Sequence, residues 1–262
     1  MITSSEYVTY YRNPILFEIV KQLLNHETSF LSPKYPIRCI KAHSIDYLKR
    51  NMEALGFWRR PYNIYRSLAH LKDMPTFSYE PSKRREQQQE FNKSFMEYTV
   101  GYDLAFDFDS KQRGFQQCYK DTGLLKKYFD DYGIPYTIKM SGSGFHIEVL
   151  DEYLPGDVEK VKYCAFFVNE ISEVFNLPTL DTSIIDWRRL WKVAYSLDIN
   201  TGNVVLPLTD EQFRKFNKRI LRPENCINIQ GRGMLRRDGT SKNLQRFYEN
   251  YILSGVKDNE KS

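Results

Sequence analysis

Cysteine is scarce and scattered in this chain. Its four residues, Cys39, Cys118, Cys164 and Cys226, stand far apart with no C-x-x-C pair, which excludes a cysteine zinc site and a disulfide framework and fits buried, reduced thiols. Histidine is equally thin. His26, His43 and His70 have no partner at ligand spacing and read as surface or capping residues. No apolar run approaches the eighteen residues of a membrane span, and no basic stretch followed by an apolar one opens the sequence. The expectation is a cytoplasmic, intracellular protein with no membrane span and no signal peptide. Repeats and low-complexity linkers are missing too, so nothing forces a clean domain boundary. Charge is weak. Thirty-eight basic against 33 acidic residues leave +5, which admits a polyanionic partner without specifying one.

What the chain does have is aromatic mass, 19 Tyr and 17 Phe among 262 residues, enough to bury a large core. Apolar residues from Ile15 to Leu24 recur at helical spacing after Asn13-Pro14, and Ser44 is placed to cap a second helix that Gly56 ends. Phe57 to Leu71 interleaves aromatics with Arg59, Arg60 and Arg66, which suits either a phosphate-bearing ligand or a strand with a solvated basic face. Glu80 to Lys93 turns polar and reads as an exposed loop or short mobile helix. Further helices are expected up to Tyr132, over Asp157 to Phe175, near Thr209 and over Leu244 to Leu253. Strands are expected over Ile134 to Lys139, over Phe145 to Leu150 and from Val204, and Arg232, Arg236 and Arg237 fall in a Gly-punctuated loop.

Three stretches carry chemistry. The first is Tyr102-Asp103-Leu104-Ala105-Phe106-Asp107-Phe108-Asp109. On a strand, Asp107 and Asp109 project to one face and the two Phe to the other. Paired carboxylates repel unless a hard divalent cation such as Mg²⁺ or Mn²⁺ lies between them; solvated acids at a strand end would give the same pattern. The second is Ser141-Gly142-Ser143-Gly144, a tight turn between two strands where glycine lets the backbone approach a phosphate. His146 follows directly and shares a strand face with Glu148. The third runs from Asp181 through Asp186, Arg188, Arg189 and Lys192 to Thr201-Gly202. Asp186 would complete a three-carboxylate, two-metal site, with Arg189 and Lys192 facing a triphosphate. A basic surface turn is the plainer reading.

Asp-x-Asp on a strand, then Ser-Gly-x-Gly-x-His before a second strand, then Asp-x-x-Arg-Leu-x-Lys with Ser-Leu-x-x-x-Thr-Gly beyond it, in that order over roughly Tyr98 to Gly202, resembles the archaeo-eukaryotic primase superfamily. That family includes the small catalytic subunit of primases and the primase-polymerases. The resemblance implies an α+β fold: a primase catalytic core of two opposed sheet units, with an RRM-like component and an acidic cleft between them. It implies one catalytic domain over 1–262, with an N-terminal α/β part to about 98, a motif-bearing core over about 99–208 and a basic, helical part beyond. Asp107, Asp109 and Asp186 then resemble the metal ligands for Mg²⁺ or Mn²⁺. Ser141, Ser143 and His146 resemble the phosphate-contacting motif, and Lys192, with Arg189 beside it, the residues that bind the incoming triphosphate. The cysteine and histidine zinc element of archaeal primase subunits is missing. Asp198 stands where the family often has histidine, and no phosphate role is assigned to it.

The implied activity is template-dependent nucleotidyl transfer by a DNA primase or primase-polymerase. Its substrates would be NTPs or dNTPs on single-stranded or primed DNA, and a large primase subunit or a helicase are candidate partners. A primer-dependent gap-filling polymerase of the same superfamily, or an inactive nucleic-acid-binding subunit, are the alternatives. His146 is read as a phosphate hydrogen-bond donor rather than a general base.

Overall fold

The computed structural model describes residues 8–11, 13–32, 36–57, 62–78, 80–111, 113–156, 159–184, 186–226 and 239–253. Arg59, Arg60, Arg232, Arg236 and Arg237 lie outside the described residues. In chain order the described elements begin α1 (Asn13–Leu23), β1 (Thr28–Leu31), β2 (Pro36–Ile40), α2 (Ile45–Ala54), β3 (Asn63–Ser67), β4 (Ala69–Leu71), α3 (Pro81–Tyr98) and β5 (Thr99–Tyr102). They continue β6 (Leu104–Phe108), α4 (Gly114–Tyr132), β7 (Thr137–Met140), β8 (Phe145–Val149), α5 (Lys160–Val174), β9 (Leu190–Lys192), β10 (Leu206–Pro207), α6 (Asp210–Arg214), α7 (Pro223–Cys226) and α8 (Ser241–Phe247). A π-helical segment, Tyr248–Leu253, follows α8. None of the described helices is long and apolar enough to cross a membrane.

Two compact units share the chain, the first formed by 1–101, 187–206 and 211–233, the second by 102–186, 207–210 and 234–262. In the first, an antiparallel sheet runs in the order β2-β1-β3-β9. α2 begins where Ser44 accepts the Tyr47 amide at 3.1 Å, the expected cap. The polar stretch expected as a loop or short helix is instead the 18-residue α3, opened by Pro81 in its first turn. Phe91 and Phe95 recur at i, i+4 and are buried, and Arg84 donates to the carbonyls of Arg38 and Cys39 at 2.8 and 3.2 Å. A few apolar anchors are enough to hold a helix whose other faces are polar.

Two further expectations change in this unit. His26 is buried rather than exposed, with Nδ1 3.0 Å from the Ala69 carbonyl. Arg66 is buried on β3 and donates to the Ser67 carbonyl at 3.0 Å, so its strand does not present a solvated basic face.

The second unit is built on a sheet in the order β10-β7-β8-β6, with β6 and β7 both antiparallel to β8. Alternation sorts its faces. Leu104, Phe106, Phe108, Phe145, Ile147, Val149, Ile138 and Met140 form the apolar face and are buried. α4 and α5 pack on this sheet, Phe129 and Phe167 setting their rings 5.6 and 6.2 Å from Phe106. α8 adds Phe247 against Phe129 and Phe167 at 5.6 and 6.1 Å. α4 stops at Gly133, whose φ of 62° is the left-handed value glycine adopts freely. What results is a mixed α and β chain with antiparallel pairing.

Candidate active site on the second sheet

The opposite face of this sheet is polar. Asp107 on β6 pairs with His146 on β8, and His146 with Lys139 on β7, so acid, imidazole and ammonium bearers follow one another along a single row. The His146 Nε2 lies 3.3 Å from Asp107 Oδ1. In the adjoining row Glu148 faces Lys139 diagonally, 3.6 Å from its Nζ, with both side chains 2% exposed. A buried lysine is tolerated when a carboxylate stands beside it. Asp107 is the more open member, its side chain 24% exposed.

Asp109 follows the end of β6. Its carboxylate is 35% exposed and meets Lys111 twice, the amide at 3.0 Å and Nζ at 3.2 Å. The turn expected at 141–144 joins β7 to β8 beside it. Gly142 has a φ of 119°, and a Cβ on Gly144 would sit 1.9 Å from the Phe108 carbonyl oxygen, so both positions require glycine. The Ser141 amide and hydroxyl donate to the Gly144 carbonyl at 2.8 and 3.1 Å. Ser143 is exposed, and its carbonyl accepts the Ser110 hydroxyl at 2.7 Å. The turn, Asp107, Asp109 and His146 therefore meet at one end of the β6–β8 pair.

A third carboxylate arrives there from a direction the sequence reading did not choose. Residues 179–181 lie antiparallel along the free edge of β6: Leu180 bridges Phe108, the Asp109 amide donates to the Thr179 carbonyl at 2.8 Å, and the Asp181 amide donates to the Asp107 carbonyl at 2.8 Å. Residues opposed in an antiparallel pair send their side chains to the same face, so Asp181 shares the face of Asp107. Its Oδ1 accepts the Ser183 amide and hydroxyl at 3.0 and 2.6 Å. Asp109, Pro178, Thr179, Leu180, Asp181 and Thr182 line a surface hollow of about 230 Å³. Asp186, the expected third ligand, comes five residues later with an exposed side chain, and its carbonyl accepts the Tyr102 hydroxyl at 2.8 Å. One signal in the sequence did point to Asp181: it closely follows the Pro178 break, where an extended segment begins.

Arg189 and Lys192 belong to the first unit. The Arg189 carbonyl accepts the Leu68 amide at 2.9 Å. Lys192, on β9, places Nζ 2.7 Å from Asp198 Oδ1. Asp198 is buried and also accepts the Thr201 amide and hydroxyl at 3.1 and 2.7 Å. Asp198, to which the sequence assigns no phosphate role, is thus the counter-charge of Lys192.

Carboxylate oxygens are the donors a hard divalent cation selects. Asp107, Asp109 and Asp181 supply them at adjoining strand ends, with Asp109 and Asp181 bordering the hollow; this donor chemistry suits Mg²⁺ or Mn²⁺, while the three do not bring ligand atoms within 4.8 Å of one another.

No family model matches this chain, and no curated protein matches its sequence. Among the solved structures similar to it is the AEP domain of the cyanophage S-2L primase-polymerase (PrimPol), which aligns over 87% of this chain and 98% of its own length at 10% identity and a TM-score of 0.38.

Proposed function

We propose that the chain is a metal-dependent nucleotidyltransferase of the primase-polymerase kind, extending or starting a nucleic-acid strand from nucleoside triphosphates on a DNA template. The observation that carries this reading is the convergence of Asp107, Asp109 and Asp181 at adjoining strand ends beside His146 and the Gly-Ser turn. The order of motifs in the sequence supports it. Asp181 takes the role first given to Asp186, because Asp181 is the residue in register with Asp107.

Bound divalent cations would lower the pKa of a 3′-hydroxyl and offset charge on the departing pyrophosphate. The protein's share is positioning. Asp107 on β6, with Asp109 and Asp181 at the strand end beside it, presents oxygen ligands. His146 donates a hydrogen bond to a phosphate oxygen, and Gly142 and Gly144 leave the turn without Cβ atoms that would hold a phosphate away. Lys192 and Arg189 keep the triphosphate-neutralising role that the order of motifs in the sequence suggests.

The test is synthesis on single-stranded DNA with Mn²⁺ or Mg²⁺ and ribo- or deoxynucleotides, with and without an annealed primer, beside the Asp107→Ala variant. Product without primer that depends on Asp107 identifies a primase. Product only with primer identifies the gap-filling alternative, and its absence in both formats overturns the enzymatic reading.

A further inference from the structure

We propose that Asp121 is a positioning residue: from α4 it sets the register of residues 179–181 against β6, and so the spacing of the carboxylates that would hold the metal. This rests on the functional reading above and deepens it. Asp121 is 4% exposed, and no step of the proposed chemistry uses it. A buried carboxylate needs hydrogen-bond donors, and it has three. Its Oδ2 accepts the Thr179 backbone amide at 3.1 Å and the Thr179 hydroxyl at 2.7 Å, while Oδ1 accepts the Gln117 side-chain Nε2 at 2.6 Å.

Thr179 carries the constraint onward. Its carbonyl receives the Asp109 amide, and two residues later the Asp181 amide reaches the Asp107 carbonyl, both at 2.8 Å. A single bridge, Phe108 to Leu180, lies between them. So short a pairing specifies register weakly by itself, and a slip of one residue would send Asp181 to the other face. α4 holds both sides of the pair: one turn before Asp121, Cys118 Sγ donates to the Phe108 carbonyl at 3.3 Å. One helix face therefore fixes β6 and the Asp181 segment against each other.

The geometry also predicts which substitutions matter. Asp121→Asn keeps an oxygen for both Thr179 donors, and the Gln117 side chain has only to turn its carbonyl toward the new amide. Asp121→Ala removes the acceptor, and Thr179→Val removes one donor at nearly constant volume.

The experiment compares Mn²⁺ binding to the full chain, read by the EPR signal of free Mn²⁺, with amide hydrogen exchange at Asp109 and Asp181 read by NMR. Asp121→Ala is expected to weaken Mn²⁺ binding by about 10- to 100-fold and to speed exchange at both amides. Thr179→Val moves both readouts in the same direction, and Asp121→Asn stays near wild type. If Asp121→Ala fails to fold, the Thr179→Val and Asp121→Asn pair decides. Wild-type Mn²⁺ affinity and exchange in folded Asp121→Ala or Thr179→Val overturns the proposal. So does an Asp121→Asn variant as impaired as Asp121→Ala, since charge rather than register would then be at work. Wild-type binding of Mn²⁺ that Asp107→Ala leaves unchanged overturns the metal reading itself, a result distinct from both.

Discussion

Asp181 stands across from Asp107 on the edge of β6, its amide 2.8 Å from the Asp107 carbonyl, whereas the Asp186 carbonyl accepts the Tyr102 hydroxyl at 2.8 Å. The two acids are five residues apart and are expected to behave differently. Asp181→Asn should lower nucleotide incorporation by about 10²-fold or more, the effect of disturbing a metal's immediate surroundings. With Asp181 in the proposed ligand role, Asp186→Asn should stay within about threefold of wild type. Steady-state incorporation at saturating Mn²⁺ measures both, and the reverse order would restore Asp186 to the site.

Asp107→Ala should abolish incorporation while the chain still folds. The Asp107 side chain is partly exposed and His146 is its close neighbour, so truncation opens no large cavity in the apolar face. Circular dichroism and thermal unfolding check the fold, and a molten variant would remove the meaning of its inactivity.

Gly144 should accept no side chain. A Cβ there falls 1.9 Å from the Phe108 oxygen and 3.0 Å from its carbonyl carbon, and backbone cannot give way as a side-chain tip can. Gly144→Ala is expected to cost about 1–3 kcal/mol or more in urea unfolding, with β6 and β8 pushed apart where Asp107 meets His146.

Lys192 and Asp198 should couple in stability. Removing the ammonium leaves Asp198, buried beside Thr201, without its cation. Lys192→Met is expected to cost about 1–3 kcal/mol, and the double variant with Asp198→Asn should recover part of that loss in a double-mutant cycle. Additive losses would show that the pair is not coupled.

Two thiols of the first unit should be inert at neutral pH. Burial, with Glu27 adding to it, pushes the Cys39 thiol from an ordinary value near 9 up to about 11. Burial and then Glu224 push Cys226 up to about 12. At pH 8 the Cys39 thiolate fraction is on the order of 10⁻³, so alkylation should wait for unfolding. The sign of the linkage follows. These thiols are raised in the folded state, so the stability they contribute is present below pH 9 and declines as pH rises through 11. A melting temperature falling over that interval, less steeply in Cys39→Ala, is the expected result.

Local chemistry made part of this architecture legible in the sequence. The alternation of Leu104, Phe106 and Phe108 with Asp107 gave β6 its two faces, and the glycines of 141–144 gave the turn, because each depends on neighbours a few residues away. The polar residues of α3 hide the two phenylalanines that anchor it, so its sequence reads as an exposed loop or short mobile helix, although Pro81 marks its start. His26 reads as a surface or capping residue because its partners, the Ala69 carbonyl and Arg66, lie far along the chain. Asp181 was passed over for a related reason. Three residues are too few for alternation to show, and their register is set by a helix some sixty positions earlier, through Asp121 and Thr179.

The division of the chain has a consequence for its birth on the ribosome. β6, β8 and residues 179–181 are all synthesised well before α8, which sets Phe247 against Phe129, Phe167 and Phe175. Domains fold as units during synthesis, and here the acidic strands must wait, their aromatic backing still incomplete, until the chain has left this unit and come back to it.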